Sequence, residues 1–257
     1  MDFDFDKRLE LFLLEGKYYN SGGDFYIHGE KGKSAPIKIP TPNIPSLYLN
    51  ISDNALKNAK EINENILLPS ITLNHDSNSF EYKEKYYYKH IFDMYENLFV
   101  SIVFNYAAVE SITNNLIPNS CSVRWNTKTG ESTVGKDWIE KNVTLEDKIK
   151  KVIPKIYNLK IKFGKLNFWK NFKLLEHHRN EIIHFKSDEF IDDTIKVAPY
   201  LSEFFVDIMK HNIIESGREI IKYLCIKIPN IQGLPHEFHS EPYKLTEKLK
   251  HFSKKKS

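Results

Sequence analysis

The sequence predicts a mainly α-helical protein, with four helical segments behind a mixed, partly irregular N-terminal extension. Three observations predict it. From about residue 81 to 228, apolar residues recur at three- and four-residue steps, the period of a helix with one buried face. Residues 1–80 are instead punctuated by Gly16, Gly22, Gly23, Gly29, Gly32 and four prolines between Pro36 and Pro45. Residues 229–257 form a basic, Lys-rich tail. The organisation read from these shifts is an extension at 1–80, a helical domain at 81–228 and a tail at 229–257.

Taken in order, Leu9, Phe12 and Leu13 suit one side of a short helix ended by Gly16. The alternation Ile37-Lys38-Ile39-Pro40 suits an edge strand or extended arm, where a proline's missing N–H is tolerated. Asp53 to Ile66 predicts a short helix, and 69–78 return to extended or turn chemistry. Tyr87 to Ile117 predicts a long helix through Ile91, Tyr95, Leu98, Ile102, Ala108, Val109 and Ile112, stopped by Pro118 and Asn119. Ser120 to Gly135 is polar and predicts a short hairpin or an ordered loop. Trp138 to Tyr157 predicts a second helix, and Thr144 with Asp147 approximates a capping box that offers a later start. Phe168 to Phe185 predicts a third helix. Ile191 to Ile228 predicts a fourth, broken near Ser216-Gly217 and ended by Pro229.

Composition narrows the class. At 41% hydrophobic and 28% charged, the 257 residues read as a soluble globular protein, and 13% aromatics argue against general disorder. The start, Met1-Asp2-Phe3-Asp4-Phe5-Asp6, is acidic where a secretory signal is basic. The longest uncharged apolar run, Asn97 to Val109, is too short to span a bilayer, so no membrane association is expected. Cys121 and Cys225 lack metal-type spacing and read as free thiols of a cytoplasmic protein. Net charge is +3, but it is unevenly spread. Lys141 to Lys173 carries ten lysines against Glu146 and Asp147, and Glu241 to Ser257 carries six lysines against two glutamates. Such segments attract polyanions, or form solvated helix faces.

The basic stretch leads into Arg179-Asn180-Glu181-Ile182-Ile183-His184, a cation and a titratable imidazole five positions apart on the third helix. Only four arginines stand against 33 lysines in this chain, so an Arg beside a His is worth noticing, although the spacing alone proves little. Arginine holds phosphate in a planar fork, and histidine moves protons near neutral pH. On a helix, Glu176, Asn180 and His184 share one strip, whereas Arg179 and His184 stand about 140° apart. One helix is therefore an awkward clamp, and two helices facing across a two-fold axis serve better. Cleaving RNA without metal needs a base, an acid and a cation for the phosphorane, roles that His184 and Arg179 suit. Asn180 is positioned to orient the imidazole or a phosphate oxygen, and Glu181 is a candidate partner for His177 or His178. Leu175, Ile182 and Phe185 form the core face, with His178 on the same seam. A surface ion pair or a satisfied core hydrogen bond is the alternative account of Arg179 and His184.

Arg179-Asn180 and His184, after Phe172-Lys173-Leu174-Leu175 and with Ile182-Ile183 before the His, resemble the HEPN superfamily signature, Arg-x4-6-His with a polar residue after the Arg. The stretch from Asn105 to Ile117, with small residues and Glu110 ahead of Asn114, resembles that family's opening helix. Leu145 to Tyr157 followed by Phe168-Trp169 resembles the middle of such domains, so the resemblance covers roughly residues 81–228. It implies an up-and-down four-helix bundle that forms a homodimer with a composite cleft. It also implies metal-independent endoribonuclease activity leaving a 2′,3′-cyclic phosphate and a 5′-hydroxyl, with Arg179 and His184 catalytic and Asn180 supporting. Many such proteins are toxins or antiviral, abortive-infection effectors held in check by an antitoxin or other regulatory partner. Some members carry a Tyr two residues after the His that a partner nucleotidyltransferase modifies. Lys186 stands there in this chain, so that control is not expected.

No cofactor or metal is expected. His236 and His239 form a His-x-x-His pair without an evident third ligand, and the glycines fit no phosphate-cradling or dinucleotide spacing. Two other readings stand beside the ribonuclease. One is a non-catalytic module of the same fold that binds nucleotide or RNA, and the other is an interaction protein that recruits a partner through residues 1–80.

Overall fold

In a computed structural model of the chain, residues 12–14, 17–19, 22–28, 34–40, 42–74, 79–82, 87–184, 204, 207–208 and 211–228 are described. Helix dominates them. The chain divides into two units: 48–110 with 162–220, and 1–47 with 111–161 and 221–257. The first unit contains the motif helix.

Among the described residues, four two-stranded antiparallel hairpins punctuate the helices. Phe12–Leu14 (β1) pairs with Lys17–Tyr19 (β2), so Phe12 and Leu13 lie in a strand and not in the expected helix. Three apolar residues followed closely by Tyr18 and Tyr19 satisfy a short ladder, whereas a helix of that length does not repay its nucleation. Gly22–His28 (β3) pairs with Ser34–Pro40 (β4), from Gly22 opposite Pro40 to His28 opposite Ser34. Among the described residues β4 has this single partner, and such an edge accommodates Pro36 and Pro40.

Helix α1 (Ile44–Ile62) starts nine residues before the expected Asp53. The Ser46 N–H donates to Asn43 Oδ1 at 2.9 Å, a side-chain cap, and Pro45 sits in the first turn, where its missing N–H costs nothing. Leu49, Ser52, Ala55 and Ala59 make its buried stripe. It runs on through a π-helical turn, Asn63–Leu67, to Leu68–Ser70. Ile71–Asn74 (β5) and Ser79–Tyr82 (β6) follow as the third hairpin. Helix α2 (Tyr87–Asn115) buries Met94, Leu98, Ile102, Tyr106, Val109 and Ile112 at the spacing read from the sequence.

Val123–Thr127 (β7) and Gly130–Val134 (β8) form a hairpin, which decides between the hairpin and the ordered loop expected between Ser120 and Gly135. Gly130 takes φ of 114° where the turn closes, a conformation costly for any other residue. The expected single helix over 138–157 is divided: α3 (Lys136–Asn142) ends at Val143, which is extended. Thr144 Oγ1 then accepts from the Asp147 N–H at 3.2 Å and restarts the chain as Leu145–Asp147, a π-helical turn Lys148–Val152 and α4 (Ile153–Ile156). The capping residues outcompete the continuous apolar period. Lys148 is buried, and its ammonium donates to Asn114 Oδ1 at 3.0 Å and the Glu140 carbonyl at 2.9 Å.

Helix α5 (Asn167–Ile183) carries the motif. Helix α6 (Ile213–Lys227) passes through Ser216-Gly217 without the expected break. The glycine serves close packing: a Cβ on Gly217 would lie 1.9 Å from Asn105 Oδ1 and 3.2 Å from Val109 Cγ2 of α2. Around this point Ser52, Ser101 and Asn105 are fully buried, and Ser52 Oγ donates to the Ser101 carbonyl at 2.9 Å. Asp53 pairs with Arg218, joining α1 to α6 beside the same polar cluster.

Among the described residues no helix is long and apolar enough to cross a membrane. Both cysteines are free thiols. Burial raises both, pushing Cys225 up to about 12, so neither is a ready thiolate at neutral pH.

Helix propensity alone gives Gly217→Ala a gain of about 1 kcal/mol. The close approach reverses the sign: Gly217→Ala is expected to lose about 2 kcal/mol, a fall in Tm of roughly 4–8 °C. Adding Asn105→Ala should recover part of that loss in a double-mutant cycle. A Gly217→Ala melting temperature at or above wild type would remove this contact as a constraint.

Candidate active site on helix α5

The chain enters α5 through a 3-10 turn, Phe163–Lys165, and the Trp169 N–H bonds back to the Leu166 carbonyl at 3.0 Å. Trp169, Phe172, Leu175 and His178 form the buried face. Phe163, Trp169 and Phe172 pack ring to ring, with centroids 5.0 and 5.3 Å apart. That aromatic seam fixes the helix and leaves Glu176, Arg179 and Asn180 on the faces beside it.

Arg179 stands over an aromatic ring. Its guanidinium carbon lies 5.1 Å from the centroid of Tyr106, contributed by α2. Arg179 Nη1 donates to Asn180 Oδ1 at 3.0 Å. The Tyr106 ring is itself stacked on Phe172, 6.1 Å away and inclined by 5°. Its hydroxyl donates to Glu176 Oε1 at 3.3 Å, and the other carboxylate oxygen of Glu176 pairs with Lys173. Burial, then the carboxylates of Glu176 and Glu110, raise the Tyr106 hydroxyl well above its ordinary value, against a smaller opposing pull from Arg179. The phenol therefore stays protonated as a hydrogen-bond donor throughout the neutral range.

His184 is the first residue past the helix. Its N–H closes the last turn on the Asn180 carbonyl at 2.9 Å, with φ of −114° and ψ of 36°, and the residue is exposed. The three motif residues thus gather at the C-terminal end of α5. Arg179 and Asn180 are joined directly, while His184 touches Asn180 through the backbone. Asn180 orients the guanidinium here, whereas the sequence pointed to the imidazole or a phosphate oxygen.

His178 lies on the core seam, as its position in the apolar pattern suggested. It is 1% exposed, its Nε2 stands 3.1 Å from Asp207 Oδ2, and its ring meets Phe204 edge-on at 5.3 Å. Asp207, not Glu181, is its acidic partner. Phe185, Lys186, His236 and His239 lie outside the described residues. Among the described residues, no three of His, Cys, Asp and Glu gather as a group able to hold a metal ion.

The Lys-rich stretch is less bare than its composition implies. Lys148 is buried, Lys150 and Lys151 pair with Glu146 and Asp147 at 2.6 and 2.8 Å, and Lys173 pairs with Glu176. Lys141, Lys160, Lys162, Lys165 and Lys170 are exposed. A cleft of about 520 Å³ between α1 and α2 is lined by Glu61, Asp93 and Glu96 with Asn58 and Asn97. Its carboxylates make it a poor phosphate site.

Sequence reasoning missed Tyr106 and Asp207. Glu176 was visible as one turn before Asn180, but nothing along the chain ties it to a tyrosine 70 positions earlier. No family model, curated protein or solved structure matches the chain.

Because the Tyr106 hydroxyl is raised in the fold, the unfolded chain loses that proton first as pH climbs. Its contribution to stability is intact below about pH 10 and falls above it. The difference in ultraviolet phenolate absorbance between wild type and Tyr106→Phe should stay flat through about pH 10 and rise only beyond it. A step near that pH would place the hydroxyl in an ordinary solvated setting.

Proposed function

We propose that the protein is a metal-independent endoribonuclease of the HEPN type, an up-and-down helical bundle acting as a homodimer. The observation that carries this reading is the set of three residues at one end of α5: Arg179 braced by Asn180 and Tyr106, with His184 exposed one turn beyond. Exposed Lys162, Lys165 and Lys170, which precede the motif in the same unit, favour a polyanionic substrate.

In the proposed reaction a His184 imidazole takes the proton of the ribose 2′-hydroxyl, and the 2′-oxygen attacks the adjacent phosphorus. The bond to the 5′-oxygen breaks as that oxygen takes a proton from solvent water, beside the Arg179 of the second copy. The products are a 2′,3′-cyclic phosphate and a 5′-hydroxyl. Arg179 neutralises charge on the non-bridging oxygens, where a planar fork matches two oxygens at once. Five helix positions put Arg179 and His184 about 140° apart, which is why the second copy completes the cleft. A toxin or abortive-infection effector checked by an antitoxin-like partner is the cellular role that fits such an activity.

Purified protein is expected to cut RNA in the presence of chelator. His184→Ala should lower kcat by about 10²–10⁴-fold and Arg179→Ala by about 10²–10³-fold. RNA cleavage by both variants at the wild-type rate overturns the assignment. Salt-sensitive RNA binding without products supports the non-catalytic module instead. If the cleft is composite, mixing Arg179→Ala with His184→Ala rebuilds one intact site per mixed dimer and restores about a quarter of wild-type activity. No recovery after subunit exchange has been verified argues for a site within one chain.

A further inference from the structure

Glu176 stands three residues before Arg179, the spacing of a helical ion pair. It does not pair with Arg179, however, but with Lys173 and the Tyr106 hydroxyl. Among the described residues the guanidinium is left to two other groups: the π face of Tyr106 beneath it and Asn180 Oδ1 at one nitrogen. A ring face attracts the cation without using an N–H, and Asn180 takes one of the five. The remaining donors stay available in the guanidinium plane, the arrangement that grips two phosphate oxygens.

We propose that Tyr106, fixed by Glu176 and stacked on Phe172, is a positioning residue that holds the Arg179 guanidinium in a single pose for phosphate. As a role in phosphate recognition, this rests on the ribonuclease reading. The pose itself does not. Three contacts define the ring: Phe172 on one face, Arg179 over the ring, and Glu176 at the hydroxyl. Tyr106 is buried, so the ring lacks the freedom of a surface tyrosine. Lys173 holds Glu176 on the tyrosine side and offsets its charge, which keeps the carboxylate from drawing the arginine to itself. Arginine is long and flexible, so a braced guanidinium reaches the transition state without ordering its side chain during the reaction. The raised Tyr106 hydroxyl accords with a scaffold role, since a phenol that stays protonated is no general base.

The experiment uses the fact that the chain has only four arginines. In guanidinium NMR spectra of the full-length protein, the Arg179 signal is assigned by its loss in Arg179→Lys. It should be shifted upfield by the Tyr106 ring current, return to the range of the other three in Tyr106→Leu, and stay shifted in Tyr106→Phe. On RNA, Tyr106→Leu should lower kcat about tenfold with KM changed less than about twofold, while Tyr106→Phe stays within about threefold of wild type. An unshifted Arg179 signal in the wild type overturns the proposal without any Tyr106 variant, so poor folding of Tyr106→Leu cannot shelter it. Equal kcat in wild type and a folded Tyr106→Leu overturns the catalytic part. A shifted Arg179 signal in a protein that cuts no RNA supports the brace and overturns only the ribonuclease reading.

Discussion

The close approach of α6 to α2 at Gly217 is the constraint on which the candidate site depends. It has room for no side chain at 217 and sets Asn105, Ser52 and Ser101 into one buried polar cluster. Buried polar groups have few alternative arrangements, because each displaced partner leaves a desolvated atom behind. Ser52 Oγ donating to the Ser101 carbonyl and Asn105 Nδ2 donating to Ser52 Oγ at 3.5 Å tie this face of α2 to α1 and set its rotation. Tyr106 is the next residue along, about 100° further around, and that rotation brings its ring against α5 beneath Arg179.

The electrostatics of α5 are settled in a similar way, by competition among neighbours. Lys173, Glu176 and Arg179 lie one turn apart, and either cation is spaced to take the carboxylate. Lys173 takes it, because Glu176 also accepts from the buried Tyr106 hydroxyl and is held on that side. The arginine retains donors for another anion. Elsewhere in the lysine-rich stretch, the buried ammonium of Lys148 ties α2 to α3 through Asn114 and Glu140, a structural role that composition cannot distinguish from a binding one.

The two histidines read as chemically interesting have opposite environments. His178 is sealed in the core against Asp207 and Phe204, whereas His184 caps the helix in solvent. The period of the apolar residues already separated them, since 178 lies on the core seam with Leu175, whereas 184 shares the strip of Glu176 and Asn180. The partner of His178 was not legible, because Asp207 belongs to a later segment and helix spacing relates only residues within one helix.

By itself the sequence determined the helical class, the main extents of α2 and α5, and the place of Arg179, Asn180 and His184 near one helix end, and it left a hairpin or an ordered loop where β7 and β8 lie. These follow from local periods, caps and breakers, which act over a few residues. Tertiary structure decided the rest. It carried α6 unbroken through Ser216-Gly217, where local propensity suggested a stop, because packing against α2 uses the missing side chain. It made α1 part of the unit that holds the site, through Ser52 and Asp53. It also set a tyrosine beneath the arginine, a contact between residues far apart in the chain that exists only because α2 and α5 share an aromatic core.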